Sequence, residues 1–198
     1  LFYPEFPVKI PAGGSYSFIV PIPLRIALIN TIKKNILHEF SFSTLKKSWS
    51  GKSTIGASLA RHLAMDFMDL DDYISQREGK SINEIFAQRG VIYFRKIEAL
   101  CLRTLIAEPS DMVIALGGGT PVYGDNMNFL KETSKVTTCY LKLPIDILTQ
   151  RLWESKATRP LISDINNIEE LEEFIRKHLF ERVFVYQGAD HVVVGKNQ

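Results

Sequence analysis

The sequence has few of the residues that build disulfide frameworks or metal centres. Its 198 residues include two cysteines and four histidines. Cys101 and Cys139 lie in patterned apolar segments, so we expect buried, reduced thiols rather than a disulfide or a metal pair. The histidines are scattered and show no metal-ligand spacing.

The chain also lacks an excess of one charge and a long uninterrupted apolar run. The 24 basic residues nearly balance the 22 acidic ones, giving a net charge of +2, which predicts no nucleic-acid or membrane partner. The longest apolar tract, "SYSFIVPIPLRIALI", is interrupted by Pro21, Pro23 and Arg25. The N-terminus has no basic region before a continuous apolar core, so we predict neither a membrane span nor a signal peptide.

With 45% hydrophobic residues, the chain is long enough for one substantial core. Residues 1–35 differ from the rest, because they contain five prolines and a Gly-Gly pair and show no sustained hydrophobic period. We expect this atypical segment to lie outside the core, either disordered or foreign to the domain at 36–198.

Strands and helices alternate after residue 51. The predicted strands are "DFMDLD", "MVIAL", "VTTCYLKL" and "HVVVG", and amphipathic helical patterns follow or separate them. Ser81 and Glu84 have capping-box spacing at the start of one helix. This order predicts an α/β fold, a three-layer α/β/α sandwich around a mostly parallel sheet.

Three motifs follow predicted strands or begin helices, where such folds bind ligands. Gly51-Lys52-Ser53-Thr54 could place backbone N–H groups and Lys52 on phosphates and Ser53 on magnesium. Alone, this tetrapeptide could equally be a chance helix cap.

The second motif is Asp69-Leu70-Asp71-Asp72. Alternation along a strand would direct Asp69 and Asp71 to one side, where one could hold magnesium and the other could orient or deprotonate a hydroxyl. The alternative is a solvated helix N-cap, for which Asp72 is well suited. The third motif, Gly117 to Gly119, would let a substrate approach the backbone, or would be only a tight turn.

Together these motifs resemble the shikimate kinase family. The matching elements, in order, are GKST, "FMDLDDYI", "SINEIFAQRG", "YFRKIE", "LGGGTP", "RPLI" and Arg182 four residues before Tyr186. The resemblance covers about residues 51–194. It implies a P-loop kinase fold of the nucleoside-monophosphate-kinase type that transfers the γ-phosphoryl group of ATP to the 3-hydroxyl of shikimate.

The resemblance also implies roles for residues on the acceptor side of the site. Asp71 binds the accepting hydroxyl and acts as its base. Arg95 and Arg182 bind the substrate carboxylate, Glu98 orients Arg95, and Gly117, Gly118 and Gly119 line the pocket. Guanidinium groups for a carboxylate, and acceptors for hydroxyls, suit a small anionic polyol.

On the nucleotide side, the resemblance implies that Lys52 and Arg159 neutralise charge on the transferred phosphoryl group. Ser53 and Asp69 would hold Mg²⁺, the expected cofactor. The remaining ATP-binding residues would be Ser50, Gly51, Thr54 and, near adenine, Arg151. Residues 153–165 would form a lid that excludes water. The expected partners are ATP and shikimate, and the expected enzyme is a cytoplasmic monomer.

The sequence departs from the family pattern before Gly51. Lys46 and Trp49 stand where the family's G-x-x-G-x-G-K-[ST] loop has its first two glycines, and "HEFSFSTL" alternates instead of being continuously apolar. The family's C-terminal helix is not found after "HVVVGKNQ". One hypothesis is that the gene is fragmentary or frame-shifted, so that residues 1–50 are partly translated out of frame. Two other functions therefore stay open: a silent relative that only binds ligand, and another small-molecule P-loop kinase.

Overall fold

A computed structural model describes residues 16–20, 52–154, 156 and 162–194, with only the backbone of 16–20 and Lys52. In chain order the elements are β1 (Tyr16–Val20), α1 (Lys52–Leu63), β2 (Asp66–Asp69), α2 (Leu70–Glu78), α3 (Ile82–Ala107), β3 (Met112–Leu116), α4 (Asn126–Glu132), β4 (Thr137–Lys142), α5 (Ile145–Glu154), α6 (Ile168–Phe180), α7 (Val183–Gln187) and β5 (His191–Val194).

The five strands form one sheet in the order β2-β3-β1-β4-β5. Strands β2 and β3 pair in parallel, as do β4 and β5, whereas β1 is antiparallel to both β3 and β4. Four of the five strands therefore run in one direction. The prediction of an α/β fold with a mostly parallel sheet is confirmed.

The position of β1 differs from the expectation that residues 1–35 lie outside the core. Tyr16–Val20 lies in the middle of the sheet, with Phe18 opposite both Ala115 and Cys139. The segment "YSFIV" is rich in β-branched and aromatic residues, which favour strands. The prolines around it hid this strand from the pattern analysis. The predicted domain boundary near residue 35 lies outside the described residues.

Side chains on opposite faces of β3 belong to two separate apolar clusters. Val113 and Ala115 pack with residues of α1, α5 and α6. Ile114 and Leu116 pack with residues of α2 and α3 on the other face. Because successive side chains of a strand point to opposite faces, one buried strand supports a helical layer on each side. The three-layer arrangement is as predicted.

Local sequence signals set the start of α3 and a break within it. Ser81 begins α3 with the predicted capping box, in which its hydroxyl accepts from the Glu84 N–H. Gly90 interrupts this helix with φ 76°, a left-handed conformation that favours glycine. The second half of α3 therefore takes its own direction. The segment "YFRKIEALCLRTLI" predicts such a separate helix.

Two predicted elements end earlier than expected. The strand through "DFMDLD" ends at Asp69, and α2 begins at the next residue. The pattern "NNIEELEEFIRKHLFERVFVY" predicts one long helix, but α6 ends at Phe180 and α7 begins after Arg182. Asp69 stands at the first junction and Arg182 at the second, where the backbone changes direction.

Cys101 and Cys139 are free and buried, which confirms the predicted thiols. Burial raises the pKa of the Cys139 thiol to about 12. Among the described residues, no helix has the length and apolar character needed to cross a membrane. Most of the central part of the predicted lid lies outside the described residues. At its end, Ile162 is fully buried against α6 and β4 residues.

Candidate active site

The carboxyl ends of β2 and β3 meet the start of α1 at one edge of the sheet. Ser53, in the first turn of α1, donates a hydrogen bond of 2.7 Å from its Oγ to Oδ2 of Asp69. The other oxygen of Asp69 accepts the backbone N–H of Asp71 at 3.0 Å, so Asp69 is the N-cap of α2. The alternative interpretation of this motif named Asp72 as a suitable N-cap, but the cap is Asp69, because the strand ends there.

Asp69 is only 6% exposed, and its two oxygens accept from different elements. The carboxylate therefore joins α1 to α2 at the end of β2. A serine hydroxyl and a carboxylate are hard oxygen donors of the kind that Mg²⁺ prefers. The described residues contain no cluster of three or more acidic, histidine or cysteine ligands. Ser53 and Asp69 thus fit a magnesium ion that takes its other ligands from phosphates and water.

Asp71 lies in the first turn of α2 and reaches the glycine loop that follows β3. A Cβ atom on Gly117 would lie 3.3 Å from Oδ1 of Asp71 and 3.2 Å from Oγ1 of Thr120. The missing side chain at Gly117 therefore lets the carboxylate lie directly against the loop backbone. The expectation that strand alternation aligns Asp69 with Asp71 was wrong in its reason, because Asp71 belongs to a helix.

Arg95, in the second half of α3, reaches the same loop from the other side. A Cβ atom on Gly119 would lie 2.7 Å from Nη2 and 2.8 Å from Nη1 of Arg95. Nη1 donates to Oε2 of Glu98 at 2.7 Å, in the pairing expected for Glu98. The Nε atom of Arg95 is buried and has no hydrogen-bond partner among the described residues. A buried donor without a partner is costly unless a ligand accepts from it.

Glu98 is 1% exposed and divides its two oxygens between Arg95 and Thr120. Thr120 donates from Oγ1 to Oε1 of Glu98 at 2.7 Å. Burial raises the pKa of Glu98, and the nearby charge of Asp71 raises it further. The charge and hydrogen bond of Arg95, together with the hydrogen bond of Thr120, act in the opposite direction. Hydrogen bonds from Arg95 and Thr120 fix the Glu98 carboxylate, and the carboxylate in turn orients these two side chains.

Arg182 stands at the start of α7 and is only 6% exposed. Its Nη1 atom is buried and has no hydrogen-bond partner among the described residues. One turn later, Tyr186 donates from its hydroxyl to the Gly118 carbonyl at 2.6 Å, so α7 is attached to the glycine loop. Burial lowers the pKa of neighbouring His178, and the charge of Arg182 lowers it further. The imidazole therefore tends to stay neutral beside the guanidinium.

Comparison with known proteins decides the family. The family profile described as "Shikimate kinase" matches residues 49–198. The chain belongs to the shikimate kinase family. A shikimate kinase of Flavobacterium johnsoniae is 44% identical over 148 residues, which are 75% of this chain and 85% of that protein. One of Flavobacterium psychrophilum is 37% identical over 145 residues, or 73% and 83% of the two chains.

Solved shikimate kinase structures share the fold. The enzyme of Bacteroides thetaiotaomicron matches with a TM-score of 0.63 and 32% identity, covering 75% of this chain and 81% of that one. The enzyme of Acinetobacter baumannii, solved in complex with shikimate, matches with a TM-score of 0.60 and 27% identity over 80% and 89% of the two chains. The predicted family, fold and activity, an ATP-dependent shikimate phosphotransferase, are confirmed.

Several residues assigned from the shikimate kinase resemblance cannot be compared with the structure. Ser50, Gly51 and Arg159 lie outside the described residues, as do Lys46 and Trp49. Lys52 begins α1, and its side chain is not described. Thr54 lies beside Ser53 in α1, and Arg151 lies in the last turn of α5.

The sequence analysis missed several residues around the shikimate kinase glycine loop. Thr120 holds Glu98, and Asn126 donates from Nδ2 to the Thr120 carbonyl at 2.8 Å. The Tyr123 ring lies 3.9 Å from the Cζ atom of Arg95. The available signal was a run of hydrogen-bonding and aromatic residues in the loop after the three glycines, where function often resides.

Proposed function

We propose that this chain transfers the γ-phosphoryl group of ATP to the 3-hydroxyl of shikimate, using Asp71, Arg95 and Arg182 on the acceptor. The observation that carries the proposal is the arrangement around Gly117 to Gly119. A carboxylate lies against one end of this loop and a guanidinium lies against the other. A small substrate with a hydroxyl and a carboxylate matches that pair of groups.

Asp71 is the group that would accept the hydrogen of the attacking hydroxyl. Proton acceptance by a positioned carboxylate increases the nucleophilicity of the oxygen as the phosphoryl group moves to it. Asp71 is held in the first turn of α2, where its backbone N–H donates to the Asp69 carboxylate. The base and the Ser53–Asp69 pair are therefore fixed relative to one another.

Arg95 and Arg182 would bind the substrate carboxylate. Each has a buried nitrogen donor without a protein partner among the described residues. Guanidinium groups bind planar carboxylates through paired N–H donors, and these charge-assisted bonds are stronger than neutral ones. Binding of the carboxylate would supply acceptors for donors that have none among the described residues, which supports an anionic acceptor.

On the nucleotide side, we propose Lys52 and Arg159 as the cations around the transferred phosphoryl group, with Ser50, Gly51 and Thr54 at the phosphates. Ser53 and Asp69 would hold Mg²⁺, which when bound neutralises charge on the phosphate oxygens.

A coupled assay of ADP release tests the proposed function. ATP and Mg²⁺ are supplied with shikimate, with gluconate, with a nucleoside monophosphate, or with no acceptor. We expect turnover only with shikimate. Asp71→Asn should lower kcat by about 10²- to 10⁴-fold, because the variant lacks the proton acceptor.

Asp72→Asn is the matched control, since Asp72 is an exposed neighbour in the same helical turn. Its kcat should stay within about twofold of the wild type, as is usual for surface substitutions. Equal losses in the two variants would remove Asp71 from its assigned role. Shikimate binding without turnover in the wild type would instead support the silent relative.

A further inference from the structure

The guanidinium of Arg95 contacts the predicted Glu98 and Gly119 and also two aromatic rings to which the sequence pattern assigns no role. Glu98 binds Nη1, and the backbone of Gly119 lies against Nη1 and Nη2. The Phe94 ring lies 5.0 Å from Cζ, and the Tyr123 ring lies 3.9 Å from it. Tyr123 is the nearer ring, and it belongs to the glycine loop rather than to α3.

The loop is wound tightly enough to bring Tyr123 back over Gly119. The backbone N–H groups of Val122 and Tyr123 both donate to the Gly119 carbonyl, at 2.9 and 3.1 Å. Gly124 follows with φ 62°, so the chain can turn away directly after the tyrosine. The ring is therefore placed over the guanidinium by backbone hydrogen bonds.

The side chain and carbonyl of Thr120 hold the same loop from two directions. Its Oγ1 donates to Glu98, and its carbonyl accepts from Asn126. Since Glu98 also accepts from Arg95, the loop and the guanidinium share one buried carboxylate. The Tyr123 ring and its arginine are thus positioned by one connected set of hydrogen bonds.

Packing in the core does not explain why an aromatic residue stands at this position. Tyr123 is 38% exposed and belongs to neither of the two apolar clusters of the described residues. A cation over an aromatic face is attracted by the ring quadrupole. The Cζ atom of Arg95 lies 3.9 Å from the centroid of the Tyr123 ring.

We propose that Tyr123 is a positioning residue for the acceptor carboxylate, an inference that rests on the proposed function. Its ring fixes the plane of the Arg95 guanidinium, with Nη1 bound to Glu98 and the edge formed by Nε and Nη2 left for the substrate. Without the ring, the guanidinium rotates more freely and is more hydrated, so the carboxylate must order it on binding. Tyr123 touches the arginine and acts through it.

The test compares Tyr123→Leu and Tyr123→Phe with the wild type, by steady-state kinetics with ATP and shikimate and by calorimetric binding of shikimate. The leucine variant should raise the KM and Kd for shikimate by about 3- to 30-fold, in the range of a cation–π contact. Its kcat and its KM for ATP should change by less than about twofold. The phenylalanine variant keeps the ring and should match the wild type.

A double-mutant cycle separates positioning from a general structural effect. In an Arg95→Ala background, Tyr123→Leu should change shikimate binding by less than about twofold, because the ring has lost its partner. Tyr93→Leu is the control, since it removes a ring that contacts Arg89 at 5.3 Å. That variant should keep the wild-type KM for shikimate.

An equal effect of Tyr123→Leu in both backgrounds, or failure of the phenylalanine variant to restore binding, would overturn the inference. An unchanged shikimate KM in Tyr123→Leu would do the same. A wild type that neither turns over nor binds shikimate would overturn the proposed function and the inference with it. If the wild type binds shikimate without turnover, the calorimetric cycle still decides the role of Tyr123.

Discussion

Apart from Arg182, the proposed acceptor side of the site lies between Asp71 and Asn126, where side-chain hydrogen bonds within the same stretch of chain hold Arg95, Glu98 and Thr120. On the nucleotide side, the loop before Lys52 departs from the family's glycine pattern at Lys46 and Trp49. The acceptor side depends on side-chain hydrogen bonds, such as those of Glu98 to Arg95 and Thr120. A phosphate loop depends instead on backbone N–H groups that glycines bring close to the ligand.

This difference predicts that the two halves of the active site respond to substitution in separate ways. A change on the acceptor side should alter shikimate binding or proton transfer and leave ATP binding in place. A change in the loop should alter use of ATP and leave shikimate binding in place.

The double substitution Lys46→Gly and Trp49→Gly should have the largest effect. If the loop needs left-handed backbone at these positions, each non-glycine residue costs about 1–2 kcal/mol. Restored backbone donors should then raise kcat by about 100-fold, the scale seen for one aligned transition-state donor. Steady-state kinetics with varied ATP measure the gain.

The Kd for shikimate should stay unchanged in this glycine variant. A rise in shikimate affinity equal to the gain in turnover would show that the two halves are not separate. No gain at all would show that the loop functions with Lys46 and Trp49.

Gly119→Ala should have the next largest effect, confined to the acceptor. Its Cβ would lie 2.7 Å from Nη2 of Arg95, so the guanidinium has to move. We expect the KM for shikimate to rise by about 10- to 100-fold, the loss of one charge-assisted hydrogen bond to the substrate. Kinetics with varied shikimate and with varied ATP measure both KM values.

Gly117→Ala provides the comparison, because its Cβ would lie 3.3 Å from an Asp71 oxygen and not against an arginine. It should lower kcat more than it raises the KM for shikimate. Identical kinetic profiles for the two alanine variants would contradict the separate roles of Asp71 and Arg95.

Tyr186→Phe should have a moderate effect on stability. The change removes the hydroxyl that donates to the Gly118 carbonyl in a buried part of the fold. We expect a loss of about 1–2 kcal/mol in the free energy of unfolding, as for an unsatisfied buried acceptor. Urea denaturation measures the change.

Tyr93→Phe is the matched control, because it removes a hydroxyl that donates to Glu78 at 2.8 Å away from the glycine loop. It should leave the KM for shikimate unchanged, whereas Tyr186→Phe should raise it because α7 carries Arg182. If both variants alter the KM equally, the attachment of α7 to the loop has no specific role in binding.

The smallest effect should appear in the pH dependence of stability. Burial raises the pKa of Glu98, so the folded state binds a proton more readily than the unfolded state. Proton binding by Glu98 contributes to the free energy of unfolding below the ordinary glutamate pKa of about 4.3. This contribution is lost as pH rises through the raised pKa of the folded state. Glu98→Gln removes this titration.

Urea denaturation of the wild type and Glu98→Gln across that interval measures the difference. The wild type should lose stability relative to the variant as pH increases. A difference in free energy that does not change with pH would contradict a raised pKa at Glu98.

Much of the fold was predictable because local signals agree with the tertiary structure. The serine and glutamate at 81 and 84 form the capping box, and the apolar run 112–116 forms a buried strand. The antiparallel strand Tyr16–Val20 was not predictable, because its partners lie about a hundred residues away along the chain. A pattern of five residues does not indicate with which strands the segment will pair.

Part of the site's geometry was predictable from the motifs that resemble the family, and the roles of these residues toward the substrate stay predictions. Asp71, Arg95 and the three glycines are brought to one loop as expected, and Glu98 binds Arg95. Tyr123 was not predictable, because its role depends on two backbone hydrogen bonds to Gly119 that turn the chain back. The sequence around a loop tyrosine does not indicate which cation its ring will contact.

The place of β1 in the sheet has a consequence for the order of folding. Among the described strands β1 is synthesised first, yet its partners β3 and β4 follow only about a hundred residues later. Pairing over such a separation closes a long loop, which slows folding, and an unpaired central strand is open to association with other chains. Strand β1 therefore pairs late, and we expect the demand for chaperones during synthesis to depend on Tyr16–Val20.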